Sequence, residues 1–509
     1  MSAGKSKARL ISCLVSWWMI LLMFACSSPA SITPTAVSYA SPVLPGPISN
    51  VDTTIKVEPK LIDDYFPNPG MGWQDGIETP DSLNMPESVM YPNRRQIGWL
   101  ILNPAEGVYD WSALDKALQE ATRDGKQLSF RVYTMVGERY GGHMIPDWVF
   151  AKGATLLPSS DEPDYSSCVY QDEWGKFVEE LRKVYDGNPN IAFIDISGYG
   201  NFNEWSWQDA QTEWDVALEE GYVNGAASSD LFETLDGQAR RRLADMFIGG
   251  SYDEHRCRLA TGKTAFVAYS YEGFQETQLV MPYAGIVQSS QYVFQRRSDV
   301  GFRYDCLGKS GERVLEKVGS IISQVWRTAP VVLELCKPNE FDLDDAKMLL
   351  RMAHGSLVHD NDWRLGPEKL EELMRDAGYR YFLKDATLHA KDRTIEVQMN
   401  WQNLGYAPSY PKMGQEFQLY FYLMDAAGTM IHRQLVPVNI FQWLPARLPD
   451  TPPQVYPVSH TVQLPFVLSK GIYYAGVSIV DVRTGKPINL AIDGKDPAGW
   501  YLLSPLEIE

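Results

Sequence analysis

The feature of this sequence that most constrains its fold is a regular alternation of short apolar runs with amphipathic segments, from about residue 61 to residue 377. Such runs predict buried strands, and the amphipathic segments predict helices that cover them. We count about eight strand–helix units in roughly 320 residues, which is the size of a (β/α)8 barrel. A doubly wound open sheet is the main alternative, but no glycine-rich dinucleotide motif follows any early strand. We therefore predict an α/β fold with a TIM barrel over residues 57–378.

The predicted barrel strands follow the apolar runs of this region. They are expected near 68–74 and at 96–104, 127–135, 191–200, 264–271, 300–308, 330–337 and 355–361. Helices are expected between them, for example over 111–126 and 173–187, each with a glycine near its end that stops the helix. The long segments 136–172 and 205–262 interrupt the pattern, and their length marks them as functional loops or insertions.

The sequence changes character beyond Tyr379. Apolar and polar residues alternate between turn signals, as in QEFQLYFYLMDAAG and GIYYAGVSIVDVRTG, and no helical pattern interrupts them. Alternation of this kind predicts antiparallel strands with one buried face. We therefore predict an all-β antiparallel sandwich over residues 379–509.

The N-terminus has the pattern of an export signal. Three basic residues precede an apolar run of 16 residues, 10–25, which is shorter than the roughly 20 residues of a membrane-spanning helix. This pattern predicts a signal peptide over residues 1–25. The run ends in LLMFACSS, which resembles a bacterial lipoprotein signal with Cys26 as the lipidated residue. A plain signal peptide or an uncleaved anchor is the alternative.

A tether is expected after the signal. Residues 27–50 are rich in Ser, Thr, Pro and Ala and contain no charged residue. Such a stretch cannot build an apolar core and predicts an extended linker, which we place at 26–56. The folded part is then expected at the extracellular face of the bacterial cell membrane, lipid-anchored, or secreted. The membrane is a partner only through this anchor.

The acidic balance of the chain excludes some partners. It has 46 Lys and Arg against 64 Asp and Glu, a formal net charge of −18, which becomes −21 when the three signal cations are removed. An acidic surface repels phosphate backbones, so no nucleic-acid partner is expected and a neutral ligand fits best. Neither zinc-site spacing nor the frame of a calcium loop occurs, so no metal or cofactor is predicted.

Four cysteines lie beyond the tether, Cys168, Cys257, Cys306 and Cys336. An exported chain reaches a compartment where disulfides form. Four cysteines allow three pairings, and the sequence leaves the choice among them open. The oligomeric state is equally open.

Two glutamates are the candidate catalytic groups. TIM barrels carry catalytic residues at the C-terminal ends of their strands. The fourth predicted strand ends in SGYGNFNEWSW, which contains Asn203 and Glu204, and the seventh, PVVLELCKP, carries Glu334. Two carboxylates across a barrel mouth suit cleavage of a glycosidic bond. In the alternative, Glu204 only caps a helix. Glu334 then forms a structural ion pair with Arg131 or Arg303.

Part of this region resembles a known family. LNPAEGVYDWSALDKALQEATRDGKQLSFRVY, followed by PDWVF, resembles the early barrel of beta-galactosidase-like members of glycoside hydrolase clan A. The resemblance implies that Asn203 contacts a carbohydrate substrate, that Glu204 is the acid/base and that Glu334 is the nucleophile of a retaining reaction on β-glycosidic bonds. NPGMGW, DISGYGNFNEW and FRYDCLG are also similar to a set of secreted, beta-galactosidase-like bacterial lipoproteins.

Other residues near the strand ends are candidate sugar contacts. Arg131, at the end of the third strand, orients the nucleophile or simply pairs with an acid. Trp205 is one of the aromatic residues beside the proposed acid/base. Tyr304 and Asp305 alternate along the sixth strand, so at most one of them points into the barrel. Trp363, just after the eighth strand, is placed to stack on a sugar ring, or else it covers the barrel end.

Two other functions are compatible with the same residues. A non-catalytic glycan-binding lipoprotein would use the same aromatic-lined mouth, and a structural surface protein would keep the barrel only as a scaffold. Stacking aromatic residues serve binding and cleavage alike, so the sequence does not separate them.

Overall fold

The computed structural model describes residues 52–74, 87–137, 141–157, 161–205, 234–283, 287–307, 319–335, 342–360, 366–391, 393–448, 450–465 and 468–508. The predicted signal peptide, Cys26 and most of the predicted tether lie outside the described residues. Within the described ranges, no helix combines the length and the apolar character that crossing a membrane requires.

The elements are as follows in chain order. The strands are β1 (Asp52–Val57), β2 (Gly72–Gln74), β3 (Glu87–Met90), β4 (Gln127–Phe130), β5 (Ile191–Asp195), β6 (Gly250–Arg258), β7 (Thr264–Tyr271), β8 (Leu279–Tyr283), β9 (Gly301–Leu307), β10 (Val331–Leu335), β11 (Leu357–Asp360), β12 (Tyr381–Lys391), β13 (Thr394–Asn403), β14 (Phe417–Met424), β15 (Met430–Val436), β16 (Tyr456–Gln463), β17 (Gly471–Asp481) and β18 (Tyr501–Ile508). The helices are α1 (Trp99–Leu102), α2 (Ser112–Arg123), α3 (Asp147–Ala151), α4 (Cys168–Tyr185), α5 (Leu235–Ile248), α6 (Val287–Arg296), α7 (Leu343–Met352) and α8 (Pro367–Met374).

Eight parallel strands close into a barrel in the order β2-β3-β4-β5-β8-β9-β10-β11, with β11 paired to β2. The predicted TIM barrel is confirmed. The helices turn apolar faces toward the strands, as α2 does by burying Leu114, Ala117 and Ala121. These residues are spaced by three and four, so they fall on one side of the helix.

Two of the predicted barrel strands were wrong. The run at 96–104 contains helix α1, in which Trp99 and Leu102 are buried three residues apart, and the second barrel strand is β3. The run at 264–271 forms β7, which pairs with β6 in a two-stranded antiparallel sheet, and the fifth barrel strand is β8. A short apolar run fits a buried helical turn as well as a strand. In β7 Phe266 is 70% exposed, whereas a parallel barrel strand is buried on both faces.

A segment of the second domain closes the base of the barrel. Tyr410 and Met413 pack in one apolar cluster with inward residues of the barrel strands, including Val89 and Phe193. The side-chain amide of Gln127, at the start of β4, donates a hydrogen bond of 2.7 Å to the carbonyl oxygen of Met413. The N-terminal end of the barrel is thereby covered, which leaves the C-terminal end as the place for a site.

The second domain consists of two four-stranded antiparallel sheets, in the orders β1-β12-β13-β16 and β15-β14-β17-β18. The predicted β-sandwich is confirmed. Its apolar core includes Trp401 and Trp443, whose rings stack with centroids 5.3 Å apart. Strand β1 pairs with β12 of this domain. Most of β1 falls within the predicted tether, which was placed at 26–56. The sandwich therefore takes one strand from before the barrel.

A disulfide joins Cys168 to Cys257. It links the start of α4, a barrel helix, to β6 of the two-stranded sheet, and so ties this sheet to the barrel. This bond belongs to one of the three pairing schemes that the sequence allowed. The side chains of Cys306 and Cys336 lie outside the described residues.

We expect Cys257→Ser to lower the free energy of unfolding by about 4–5 kcal/mol, because the bond closes a long loop and so reduces the conformational entropy of the unfolded chain. The two cysteines are 89 residues apart in sequence. Urea denaturation of both proteins measures the change. Since both single replacements break the same bond, Cys168→Ser and the double variant should lose the same free energy. Additive losses would show that the stabilisation comes from packing of the side chains instead.

Candidate active site

The inner face of the barrel changes from apolar to charged toward its C-terminal end. On β5 the inward residue Phe193 is followed two positions later by Asp195, and on β10 Val332 is followed by Glu334. Successive inward residues are two apart because side chains alternate along a strand. Asp195 and Glu334 are 0% and 4% exposed. Burial of two carboxylates at this level requires compensating charge.

That charge comes from two arginines, which join three carboxylates into a continuous chain. Arg131 Nη1 lies 3.0 Å from Glu204 Oε1, and Arg131 Nη2 lies 3.0 Å from Asp195 Oδ2. Arg303 Nε lies 3.1 Å from the same Asp195 oxygen, and Arg303 Nη1 lies 3.0 Å from Glu334 Oε1. We call Glu204, Arg131, Asp195, Arg303 and Glu334 the ion-pair chain. It connects the two predicted catalytic glutamates through the barrel interior.

Glu204 and Glu334, at the two ends of the ion-pair chain, differ in their surroundings. The Glu204 side chain is 18% exposed and that of Glu334 is 5% exposed. Burial raises the pKa of Glu204 to about 7; Arg131 opposes this shift and the negative charge of Glu334 adds to it. With Glu204 protonated, the ion-pair chain holds two carboxylates and two guanidiniums and is neutral. One glutamate is therefore suited to donate a proton while the other keeps its negative charge.

Glu204 is carried by a strained loop after β5. Phe202, Asn203 and Trp205 have φ angles of 52°, 55° and 57°, in the left-handed region where non-glycine residues cost about 1–3 kcal/mol each. Arg131 holds the loop by donating a hydrogen bond of 2.9 Å from Nη1 to the carbonyl oxygen of Phe202. Strain of this kind persists only where the surroundings enforce it, and it is common at functional sites.

Asn203 and Trp205 use their side chains within this loop. Asn203 Oδ1 accepts a hydrogen bond of 2.6 Å from the backbone N–H of Thr134, and Asn203 Nδ2 donates one of 2.8 Å to Thr134 Oγ1. Trp205 is fully buried and donates from Nε1 to the carbonyl oxygen of Ile196. The two residues predicted to contact the sugar thus hold the backbone on both sides of Glu204.

A glycine makes the start of the loop possible. Gly198 has φ of +102°, and a Cβ atom there would lie 2.3 Å from Nε1 of Trp174 on α4. Its carbonyl oxygen accepts a hydrogen bond of 2.6 Å from the Tyr170 hydroxyl group. Helix α4 therefore fixes the path of the chain from β5 to Glu204.

The remaining predicted residues are placed as follows. Arg131 lies between Glu204 and Asp195, so it orients the proposed acid/base directly. Tyr304 is partly buried and packs against the main apolar cluster of the barrel, with its ring centroid 6.3 Å from that of Phe302. The Asp305 side chain and Trp363 lie outside the described residues.

The structure adds residues that the sequence analysis did not select. The hydroxyl groups of Tyr91 and Tyr133 are 2.9 Å apart, and the Arg303 guanidinium lies 5.7 Å from the centre of the Tyr91 ring. His359, opposite Glu334 in register on β11, has its ring centroid 5.0 Å from that of Tyr91. Burial lowers the pKa of His359 to about 3, so the ring is neutral. Among the described residues, no group of His, Cys, Asp and Glu side chains is placed to hold a metal ion.

Part of this chain matches the model of a known protein family. Residues 64–232 match the family model of glycoside hydrolase family 42, described as beta-galactosidase. The match includes barrel strands β2 to β5 and Glu204. It supports a glycoside hydrolase. No curated protein matches the chain.

Solved glycosidase structures are also similar to this chain. A beta-galactosidase from the psychrophilic Marinomonas ef1 is 12% identical, with a TM-score of 0.34, over 60% of this chain and 58% of that chain. Xylanase B from Clostridium stercorarium F9 is 11% identical, with a TM-score of 0.31, over 58% of this chain and 89% of that chain. The chain thus matches less than two thirds of the length of the beta-galactosidase.

Proposed function

We propose that the protein is a retaining, beta-galactosidase-like glycoside hydrolase that cleaves β-glycosidic bonds, with Glu204 as acid/base and Glu334 as nucleophile. The observation that carries this proposal is the ion-pair chain, which holds two glutamates of unequal environment at the C-terminal ends of strands four and seven of one barrel. The match of residues 64–232 to the beta-galactosidase family model supports the same reaction class.

In the first step Glu334 attacks the anomeric carbon of the sugar. The carbon–oxygen bond to the leaving group breaks, and the proton on Glu204 passes to the departing oxygen. Arg303 donates from Nη1 to a Glu334 oxygen and so places a positive charge beside the attacking carboxylate. The products of this step are a glycosyl ester on Glu334, the free alcohol and an ionised Glu204.

In the second step water cleaves the ester. Glu204, now a carboxylate, takes a proton from water as its oxygen attacks the anomeric carbon, and Glu334 departs as a carboxylate. Arg131 contributes here, since its positive charge 3.0 Å from Glu204 stabilises the ionised form that the first step leaves behind. Two inversions at one carbon give net retention of the β configuration.

The test is a screen of purified protein against chromogenic β-glycosides, β-galactosides included, followed by proton NMR of the first-formed product. We expect hydrolysis with the β-anomer appearing first. An α-anomer appearing first would overturn retention and point to inversion, for which the two carboxyl groups would be about 6.5–9.5 Å apart instead of about 5–5.5 Å.

A glycan-binding protein without activity is the second candidate, because Glu334 makes the ion pair with Arg303 that a purely structural role would also produce. A 2-deoxy-2-fluoro glycoside with a good leaving group separates the two. A covalent label on Glu334, located by mass spectrometry of peptides, supports the enzyme. Saturable glycan binding that survives Glu204→Gln and Glu334→Gln without any labelling supports the binder.

The pH dependence of the reaction follows from the raised pKa of Glu204. A group with a pKa of about 7 is protonated below that pH and loses the proton above it. We therefore expect kcat/KM to fall above about pH 7, tenfold per pH unit, because the general acid is lost. The decline should be absent in Glu204→Gln. A wild-type profile that stays flat up to pH 9 would contradict this assignment.

We further propose that the protein is anchored at the extracellular face of the membrane through a lipid on Cys26, or secreted. The support is the sequence LLMFACSS at the end of the apolar run and the uncharged stretch that follows it. Labelled palmitate should enter the wild-type protein and not Cys26→Ser, which should leave the membrane fraction. Equal labelling of both would contradict lipidation at this residue.

A further inference from the structure

The centre of the ion-pair chain is a carboxylate that neither step of the proposed reaction uses. Asp195, the last residue of β5, is 0% exposed. Its Oδ2 atom is 3.1 Å from Nε of Arg131 and 3.1 Å from Nε of Arg303, and its Oδ1 atom accepts from Nη2 of Arg303 at 3.4 Å. The hydroxyl group of Tyr91 also lies within its electrostatic reach. Asp195 cannot reach a substrate, but it contacts both arginines that hold the two glutamates.

The charge of Asp195 sets how much of the positive charge of the two arginines is left to balance Glu204 and Glu334. Two guanidiniums face three carboxylates, so one carboxylate of the three must bind a proton for the cluster to be neutral. Asp195 is fully buried and lies 3.0 Å from Arg131 and 3.1 Å from Arg303, so its carboxylate acts on both arginines. Glu204, the most exposed of the three, is left to carry the proton.

We propose that Asp195 is a positioning residue for this reaction: its carboxylate balances one of the two buried guanidinium charges, and so the proton stays on Glu204. The proposal rests on the proposed function. It adds that the different roles of the two glutamates are set by a third carboxylate, which contacts both arginines.

The surroundings of Glu204 give the direction of the expected change. The charged and titratable groups that act on it are Arg131, Arg303, Glu334 and the hydroxyl group of Tyr133. In Asp195→Asn both guanidiniums are balanced only by the two glutamates, and the cluster is neutral when both glutamates are ionised. Glu204 should then lose its proton at lower pH, by about one unit or more, as when a carboxylate gains a nearby uncompensated cation.

The experiment compares wild type with Asp195→Asn, an exchange that keeps the size of the side chain. We expect the decline of kcat/KM at high pH to begin about one pH unit lower. A uniform loss of activity with the decline unmoved would overturn the proposal, because a merely structural role predicts that result. Asp245→Asn is the matched control. Asp245 is 1% exposed and accepts hydrogen bonds of 2.7 Å from Tyr269 and Tyr292, outside the ion-pair chain. Its profile should keep the wild-type pH dependence.

A second pair of variants serves if Asp195→Asn alone does not fold, because its double variant removes one buried cation together with the buried anion and so leaves no charge uncompensated. Arg303→Gln removes one cation, so Glu204 should keep its proton to higher pH than in wild type. Adding Asp195→Asn to this variant removes one anion and leaves Arg131 to balance Glu334 alone. The double variant should therefore bring the titration of Glu204 back toward the wild-type pH. No difference between the two variants would overturn the proposal.

A readout that needs no turnover separates this inference from the proposed function. The infrared band of the protonated Glu204 carboxyl group is identified as the band that Glu204→Gln removes, and its loss is followed against pH. A band that titrates lower in Asp195→Asn supports the role of Asp195 even if no glycoside is cleaved, and then only the proposed function fails. A band that titrates unchanged overturns the inference even in an active enzyme.

Discussion

Glu334→Gln should lower kcat on aryl β-glycosides by a factor on the order of 10⁴–10⁶, which is the scale of loss when a catalytic nucleophile is removed. The amide has nearly the same shape as the carboxylate, and its oxygen can still accept the hydrogen bond that Arg303 donates to Glu334. It cannot form the glycosyl ester. The variant should therefore fold, bind substrate and fail at the first chemical step, so single-turnover kinetics should show no rapid release of aglycone.

Glu173→Gln is the matched control for this loss. Glu173, on α4, is also buried at 5% exposure and ion-paired, with Lys152 and Lys176, but it lies outside the ion-pair chain. Its replacement should leave kcat within a few-fold of wild type. In Glu334→Gly, azide can occupy the space of the missing carboxylate and attack from the same side, which gives an α-glycosyl azide. Wild-type activity in Glu334→Gln would remove Glu334 from the mechanism.

The barrel could be predicted from the sequence because the alternation of apolar runs with amphipathic segments is repeated about eight times. Eight strand–helix units were counted, and the barrel has eight strands, yet two of the assigned strands were wrong. The run at 96–104 is a buried helical turn, and the run at 264–271 belongs to a sheet outside the barrel. Two true strands, β3 and β8, are four and five residues long. Short runs carry too little periodicity to be told from other buried segments, so the number of strands was predicted correctly although two of their positions were not.

The site was readable to the extent that its residues stand out in their strands. Glu334 was selected because a carboxylate interrupts an apolar run, and the structure places it in the ion-pair chain. The run IAFID carries the same signal at Asp195. Tyr91 was missed because it follows the unrecognised strand β3. For the partner of Glu334 the sequence left Arg131 and Arg303 open, and the structure places Arg303, on the neighbouring strand β9, 3.0 Å from Glu334.

The role of Asn203 and Trp205 illustrates a different limit. Their position beside Glu204 was predicted, but their hydrogen bonds run to Thr134 and Ile196. Sequence neighbours of a catalytic residue can contact the substrate or hold the backbone, and the φ angle decides which. Three residues of this loop in the left-handed region turn the chain so that the Glu204 side chain reaches Arg131. Residues other than glycine and, less often, asparagine seldom adopt this conformation, so residue type does not predict it at Phe202 or Trp205.

Glu204→Ala should lower kcat/KM by about 10²–10⁴ on substrates whose leaving group needs protonation, which is the usual contribution of a general acid. The loss should shrink as the leaving group becomes more acidic, because a dinitrophenolate departs without a proton. With such a substrate the first step then outpaces the second, and the glycosyl ester on Glu334 should accumulate as a burst of aglycone. A series of aryl β-glycosides measures this trend as a plot of log kcat/KM against the pKa of the phenol.

Reaction with azide, compared between Glu204→Ala and a control variant, tests the role of Glu204 directly. In Glu204→Ala, azide can attack the glycosyl ester from the side that Glu204 served, so the product should be a β-glycosyl azide, opposite in configuration to the product from Glu334→Gly. Glu87→Gln is the control, since the Glu87 side chain is 12% exposed and ion-paired with Lys126 at the other end of the barrel, at the start of β3. It should show neither the leaving-group trend nor any azide product. The same azide anomer from both active-site variants would contradict the assigned roles. The two carboxylates act on opposite faces of the sugar, so azide that replaces one or the other must attack from opposite sides.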